Sequence, residues 1–211
     1  MLAELQGTPR LMAMLLYGSG LRLFECAGLR IKDADFGLNQ IVVRDGKGEK
    51  DRVTLFPAVA QQDLARHIDR VRAQHQQDLA RGAGWVELPF APGREYPEAG
   101  RECGWQWVFP ATRTYFERQT RQRRRHHLHE SVLQREVKQA IRQAGIPKPA
   151  SSHTFRHSFA TICLRTVTTS APCRSCGHKD VSTTMMTMIY THVLNRGPTA
   201  VRSPADRLLR P

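Results

Sequence analysis

The chain contains no run of about 18 consecutive apolar residues, so the sequence offers no membrane-spanning helix of ordinary length. Its first twenty residues carry little positive charge and end on Gly18-Ser19-Gly20, which does not match a secretion signal. The cysteines number five (Cys26, Cys103, Cys163, Cys173 and Cys176), and an odd count argues against the disulfide framework of a secreted domain. A reducing cytoplasm is the expected setting. Internal repeats are absent. Acidic residues are scarce: Asp plus Glu total 19 against 32 Lys plus Arg, a formal net charge of +13 with His neutral.

What is present is enough for a folded domain. A length of 211 residues suits one ordinary domain, or one domain enlarged by an insertion. Hydrophobic residues make up 40% and charged residues 24%, which allows a sizeable core and speaks against global disorder. The cationic excess favours a polyanionic partner, usually nucleic acid, through counterion release. The excess is uneven. Arg121, Arg123, Arg124 and Arg125 stand together and are followed by His126, His127 and His129. Taken alone, that run is equally well read as a solvated basic loop.

Periodicity places the elements. Leu11 to Tyr17 reads as a helix broken by Gly18-Ser19-Gly20, and Leu21 to Arg30 as a short amphipathic helix. Asp33–Phe36, Gln40–Arg44 and Arg52–Phe56 read as short strands, with Asp45-Gly46-Lys47-Gly48 as a tight turn, giving a small antiparallel sheet. Pro57 opens a helix on which Leu64, Ile68, Val71 and Leu79 recur up to Gly82. Residues 85 to 110 hold three tryptophans and several prolines and glycines, too aromatic for a linker and too broken for a long helix; they read as an ordered insertion. Glu130 to Ala144 forms a helix with Val132, Val137 and Ile141 inward, stopped by Gly145 and Pro147. Ser151 or Ser152 caps a helix starting near His153. Between Thr166 and Cys176 no period survives. Ser182 then caps a last helix carrying Met185, Met188, Ile189 and Tyr190, before a Pro- and Arg-rich tail that reads as extended.

Arg22, Lys47, the cluster His153-Thr154-Phe155-Arg156-His157, His178 and Tyr190 each have an ordinary structural explanation. Together they make a phosphoryl-transfer set. Two guanidinium groups can grip the non-bridging oxygens of a phosphodiester bidentately and neutralise the charge that develops on them. A phenol can attack phosphorus and form a covalent ester. A lysine on a turn can protonate the leaving deoxyribose oxygen, and histidines can hold the phosphate or take the phenol proton.

Gly18-Ser19-Gly20-Leu21-Arg22, Gly46-Lys47-Gly48, His153-x-x-Arg156-His157, Gly177-His178-x-Asp180 and Ile189-Tyr190-Thr191-His192 resemble, in order, the motifs of tyrosine recombinases, the phage-integrase family. Leu88-Pro89-Phe90, Tyr96-Pro97, Trp105–Pro110 and Arg124-Arg125-His126-His127 resemble the segment special to integron integrases. The resemblance implies an α+β, mainly α-helical catalytic domain over residues 1–200, with a small antiparallel sheet, an integron-type insertion over 85–129 and a tail over 201–211. The catalytic residues it implies are Arg22, Lys47, His153, Arg156, His178 and the nucleophile Tyr190. No cofactor or metal is implied, because bond energy is kept in a 3′-phosphotyrosyl ester. Trp105, Trp107, Arg124, Arg125, His126 and His127 are the expected DNA contacts, the tryptophans and histidines stacking on extrahelical bases of a folded single strand. Burial of each tryptophan in the core is the competing expectation. The implied partners are attachment-site DNA and a homotetramer assembled on it, with the C-terminal segment contacting a neighbour.

Two departures from the family pattern stand out. The helical DNA-clamping domain that normally comes first is missing from the chain. Thr168–Cys176 departs from the family's helix; its back-translated codons, shifted by one base, are compatible with that helix, as a local frameshift corrected before Gly177 would produce. Met185–Met188 also reads as about three added residues, which on a helix rotate Tyr190 by ~300°. These departures support an alternative, a catalytically impaired DNA-binding remnant. Two other readings are weaker. Cys173-x-x-Cys176-x-His178, with Cys163 or His157, has zinc-ligand spacing but lacks a second Cys-x-x-Cys pair. A type IB topoisomerase shares the catalytic set but not the insertion.

Overall fold

One helix buried on nearly every side organises the molecule. In the computed structural model, which describes residues 1–44, 51–88, 96–168 and 203–208, α1 spans Gly7–Ser19. Every residue from Leu11 to Leu16 is buried, as expected of a helix apolar all round rather than on one stripe. Around it pack α2 (Leu23–Ala27), α3 (Ala58–Ala80), α4 (Glu130–Gln143), α5 (Ser152–Thr168) and the short C-terminal α6 (Ala205–Leu208). Strands β1 (Ala34–Asp35), β2 (Gln40–Val43) and β3 (Arg52–Leu55) form the small antiparallel sheet in the order β1-β2-β3. Val43 pairs with Arg52 at the end where the connection carrying Lys47 leaves and re-enters. A second sheet, β4 (Pro110–Glu117) with β5 (Gln122–His127), is an antiparallel ribbon. The architecture is thus mainly helical with small antiparallel sheets. Among the described residues no helix is long and apolar enough to cross a membrane.

Several expectations need adjusting. Pro57 is the N-cap of α3, with an extended backbone, rather than its first helical residue. On α4 the inward residue is Leu133, buried where Val132 is only partly so, because Leu133, Val137, Ala140 and Ile141 share the 3–4 spacing of one face. α5 runs through Thr168, past the point at which the sequence pattern fails. Its buried stripe is Phe155, Phe159 and Cys163. The last predicted helix, with Tyr190, and the Cys173–Cys176 pair lie outside the described residues.

The insertion is held by Val108 and Phe109, fully buried in the main core, and by polar contacts. The Gln106 side-chain amide donates to the carbonyls of Gly84, Gly100 and Glu102. The rings of His67 and His75, both on the inner face of α3, donate from Nε2 to Val108 O and Arg101 O, each at 2.8 Å. Burial holds both histidines below their ordinary value of 6.5 and outweighs the pull of those hydrogen bonds. A group protonated more easily unfolded than folded adds stability that is complete above pH 6.5 and is lost as the pH falls below it. The melting temperature is therefore expected to decline from pH 7 to pH 5, and the decline to be shallower in His67→Gln, which keeps a donor for Val108 O without titrating. Equal slopes in circular-dichroism melts of the two proteins would contradict this.

The two ends of the described chain meet on α1. The hydroxyl of Ser203 donates to Gly18 O at 2.8 Å, and Asp206 Oδ1 accepts from the backbone N–H of Val59 in the first turn of α3 at 3.0 Å. The C-terminal segment, read in the sequence as an extended tail, forms the short α6 and is seated on α1 and α3.

Candidate active site

A glycine sets the site. α1 ends at Gly20, whose φ of 65° is left-handed and favours a residue without Cβ. A Cβ at Gly20 would also lie 2.6 Å from Cε1 of Phe159 on α5, and closer still to Cδ1. The turn delivers Arg22 to the N-cap of α2, and the fourth residue of that unit, Glu25, reaches back: its Oε2 accepts from the Arg22 backbone N–H at 2.7 Å. This is the carboxylate half of a capping box.

Glu25 then collects cations from three elements. Oε1 accepts from Arg22 Nη1 at 2.8 Å. Arg52, the first residue of β3, binds it bidentately, Nη1 to Oε1 at 2.9 Å and Nη2 to Oε2 at 2.6 Å. Arg156 on α5 brings Nη1 to 3.9 Å from Oε2 and donates to the carbonyl of Gly20. Burial would raise the Glu25 carboxyl, but the hydrogen bonds from Arg52 and Arg22 prevail and hold it below the usual carboxylate range. Three guanidinium groups around one carboxylate leave a net positive cluster. Its members are not equally open: the Arg22 side chain is 42% exposed, those of Arg52 and Arg156 only 18% and 15%. An anion reaching the cluster therefore meets Arg22 first, over two guanidinium groups already fixed in place.

The structure thus brings together Arg22 and Arg156, far apart in sequence. His153, three residues before Arg156 on α5, is exposed on the first turn. Lys47, His178 and Tyr190 lie outside the described residues. Sequence reasoning missed Glu25 and Arg52. The signal for Glu25 was present, as a carboxylate three residues after an N-cap position; nothing in the sequence marked Arg52.

A cavity of about 300 Å³ adjoins the cluster, with Phe24, Glu25, Arg30, Arg44, Trp107 and His127 on its walls. Three of the residues expected to touch DNA meet here. Trp107 stands edge-on to His127 with ring centres 5.3 Å apart, and His126 stacks near His127 at 4.1 Å. The Arg30 guanidinium lies 3.8 Å from the centre of Trp107, and Trp107 Nε1 donates to Arg125 O at 3.1 Å. Burial lowers His127 below its ordinary value, so the ring is neutral at neutral pH. Phe24, 64% exposed, stands on the same wall.

The remaining expected contacts fall elsewhere. Trp105 packs on Lys32 and Arg30. Arg124 binds its own strand neighbour Gln122. Arg125, expected on DNA, is buried: it pairs bidentately with Asp78 of α3 at 2.9 and 2.8 Å and donates to the carbonyls of Ala111 and Thr112. Its geometry gives it an internal role, the pinning of the ribbon to α3. The basic run is a strand, not a loop.

A family model described as the phage integrase family matches residues 3–196. Proteins named "Integrase/recombinase" from Escherichia coli and Pseudomonas aeruginosa are each 46% identical over 208 residues, 98% of this chain and 61% of theirs. A tyrosine recombinase XerD from Corynebacterium glutamicum is 29% identical over 185 residues, covering 87% of this chain and 48% of its own. A solved XerA recombinase is similar at 23% identity with a TM-score of 0.49, over 91% of this chain and 56% of that one. The chain spans about 61% of the length of the two curated relatives that share 46% of its residues. With a family match that runs through nearly all of its length, the chain belongs to the phage integrase family, the tyrosine recombinases.

Proposed function

We propose that this chain cleaves and rejoins DNA at specific sites by transesterification, as an integron-type integrase. The observation that carries the reading is Glu25, which assembles Arg22 and Arg156 into one cationic cluster with Arg52. Arg22 and Arg156 hold the non-bridging oxygens of the scissile phosphate, and Glu25 keeps them in position before the phosphate arrives. The Tyr190 phenol attacks phosphorus while the bond to the 5′ oxygen breaks. Lys47 gives that oxygen its proton, and His153 or His178 takes the proton of the phenol. The product is a 3′-phosphotyrosyl ester and a free 5′-hydroxyl. The 5′-hydroxyl of a second strand reverses the step on the ester, so the number of phosphodiester bonds is unchanged.

The integron assignment rests on the cavity beside the cluster. Trp107 and His127 on its wall, with the His126 ring next to them, offer stacking faces for an unpaired base, a contact worth ~1–3 kcal/mol per base. The DNA partner is accordingly an attachment site with extrahelical bases, including a folded single strand, bound by a homotetramer in the cytoplasm. The impaired remnant is tested by the same experiment. Mixed with a nicked attachment-site duplex that traps the intermediate, the protein is expected to give a covalent adduct on a denaturing gel, absent in Tyr190→Phe. Retarded mobility on a native gel with no adduct under any condition would leave binding and remove catalysis.

A further inference from the structure

A second hollow, of about 350 Å³, opens between the C-terminal end of α3 and the β4–β5 ribbon. It shares no residue with the Glu25 cluster or with the cavity beside it. Its floor is the buried pair of Arg125 and Asp78, which leaves the one acidic side chain of the lining already neutralised. Over that floor stand Arg81, at the C-cap of α3, Arg113 on β4 and Arg123 on β5, all exposed. The register accounts for Arg123, while Arg113 lies in the irregular stretch of β4 between Pro110 and Thr114. Thr114 lies opposite Arg125 and Phe116 opposite Arg123, so Arg123 shares the ribbon face that Arg125 turns toward α3. None of the three forms an ion pair with any described residue. The C-terminal end of a helix accounts for one cation, Arg81. It does not account for two more from a different element facing the same hollow, where like charges repel. By contrast, exposed arginines along α3 such as Arg66 and Arg72 each have an aspartate one turn away.

We propose that this hollow is a second nucleic-acid contact, in which Arg81, Arg113 and Arg123 hold backbone phosphates of a DNA segment other than the one at the scissile phosphate. The chemistry recognised is the phosphodiester. The three cations come from three elements around an open depression, which suits successive phosphates along a strand. Thr112 and Thr114 also line the hollow, adding residues that can donate neutral hydrogen bonds. The floor pair fixes the spacing of ribbon and helix without itself touching the ligand. The contact is sequence-independent and independent of the proposed chemistry at Tyr190.

The test measures binding, not cleavage. The full chain, a triple variant (Arg81→Gln, Arg113→Gln, Arg123→Gln) and a charge-matched control (Arg72→Gln, Arg135→Gln, Arg142→Gln) are titrated onto a blunt duplex of arbitrary sequence by fluorescence anisotropy over a range of salt. The hollow variant is expected to bind about tenfold or more weaker than the parent. Its plot of log affinity against log salt is expected to be shallower by about 3, at ~0.9 per lost phosphate contact. The control should change by much less. Equal losses in the two triples would overturn the proposal. So would calorimetric binding of inorganic phosphate that disappears in the hollow variant while its DNA affinity stays at the parental value, since that describes a small-anion pocket. Should the triple variant melt below the parent, Arg113→Gln and Arg123→Gln singly serve instead, each expected to lower the slope by about 1; no change in either would overturn the assignment. Failure here leaves the adduct assay untouched, and failure of the adduct assay leaves this binding result standing.

Discussion

Replacing Glu25 by glutamine is expected to lower the melting temperature by about 6–12 °C and to abolish covalent capture of DNA. The carboxylate is largely buried and accepts hydrogen bonds from Arg52, from the Arg22 side chain and from the Arg22 backbone, with Arg156 at 3.9 Å. Removing its charge leaves cations that were desolvated in order to meet it, and breaking a pair of this kind costs about 3 kcal/mol. For a domain of this size each kcal/mol moves the transition by roughly 2–4 °C. Glutamine keeps the volume and can accept one hydrogen bond, so what is lost is chiefly the anion. Scanning calorimetry with and without DNA separates the two roles of Glu25. A bound phosphate replaces part of the missing charge, so DNA should stabilise Glu25→Gln by more than it stabilises the parent. A variant that melts like the parent would show that the arginines hold their places without the carboxylate.

Gly20→Ala is expected to be comparably severe, for a different reason. At φ 65° any side chain costs about 1 kcal/mol or more. The added Cβ also enters the ring of Phe159, one of the largest fully buried side chains, and overpacking of that sort costs about 1–3 kcal/mol. Together the loss is about 2–4 kcal/mol, read as a lower denaturation midpoint in urea at unchanged slope. The two parts can be separated: Phe159→Leu in the Gly20→Ala background should recover part of the steric loss and none of the backbone strain. Additive effects of the two substitutions would disprove the contact between them. Because Gly20 also presents its carbonyl to Arg156, Gly20→Ala is expected to disturb the guanidinium cluster even where the protein still folds.

How far these features could be read in advance depended on what determines each. The small sheet was legible almost to the residue, because Gly37-Leu38-Asn39 and the Asp45-Gly46-Lys47-Gly48 stretch separate three short runs, the second and third rich in Val, Ile and Thr. α3 was legible from its apolar spacing, and Leu64, Ile68 and Val71 are buried as expected. Farther on, the inward residues are His75 and Asp78, polar groups that bind an insertion with little apolar core of its own. The β4–β5 ribbon was not legible. Gln122-Arg-Arg-Arg-His-His has no apolar alternation, and its one inward side chain is an arginine that becomes buried only because Asp78 lies 47 residues earlier in the chain. The pairing of Arg22 with Arg156 was expected from resemblance alone. Glu25, which physically joins them, reads in sequence as an ordinary charge on the polar side of a short helix.

The seat of Ser203 on Gly18 has one more consequence. Gly18 is two residues from Gly20, and the carbonyl of Gly20 is what Arg156 grips. The turn that delivers Arg22 is thus braced from behind by a residue 185 positions away in sequence. Casting off the Ser203 mooring would loosen the end of α1 without changing a single group in the catalytic cluster.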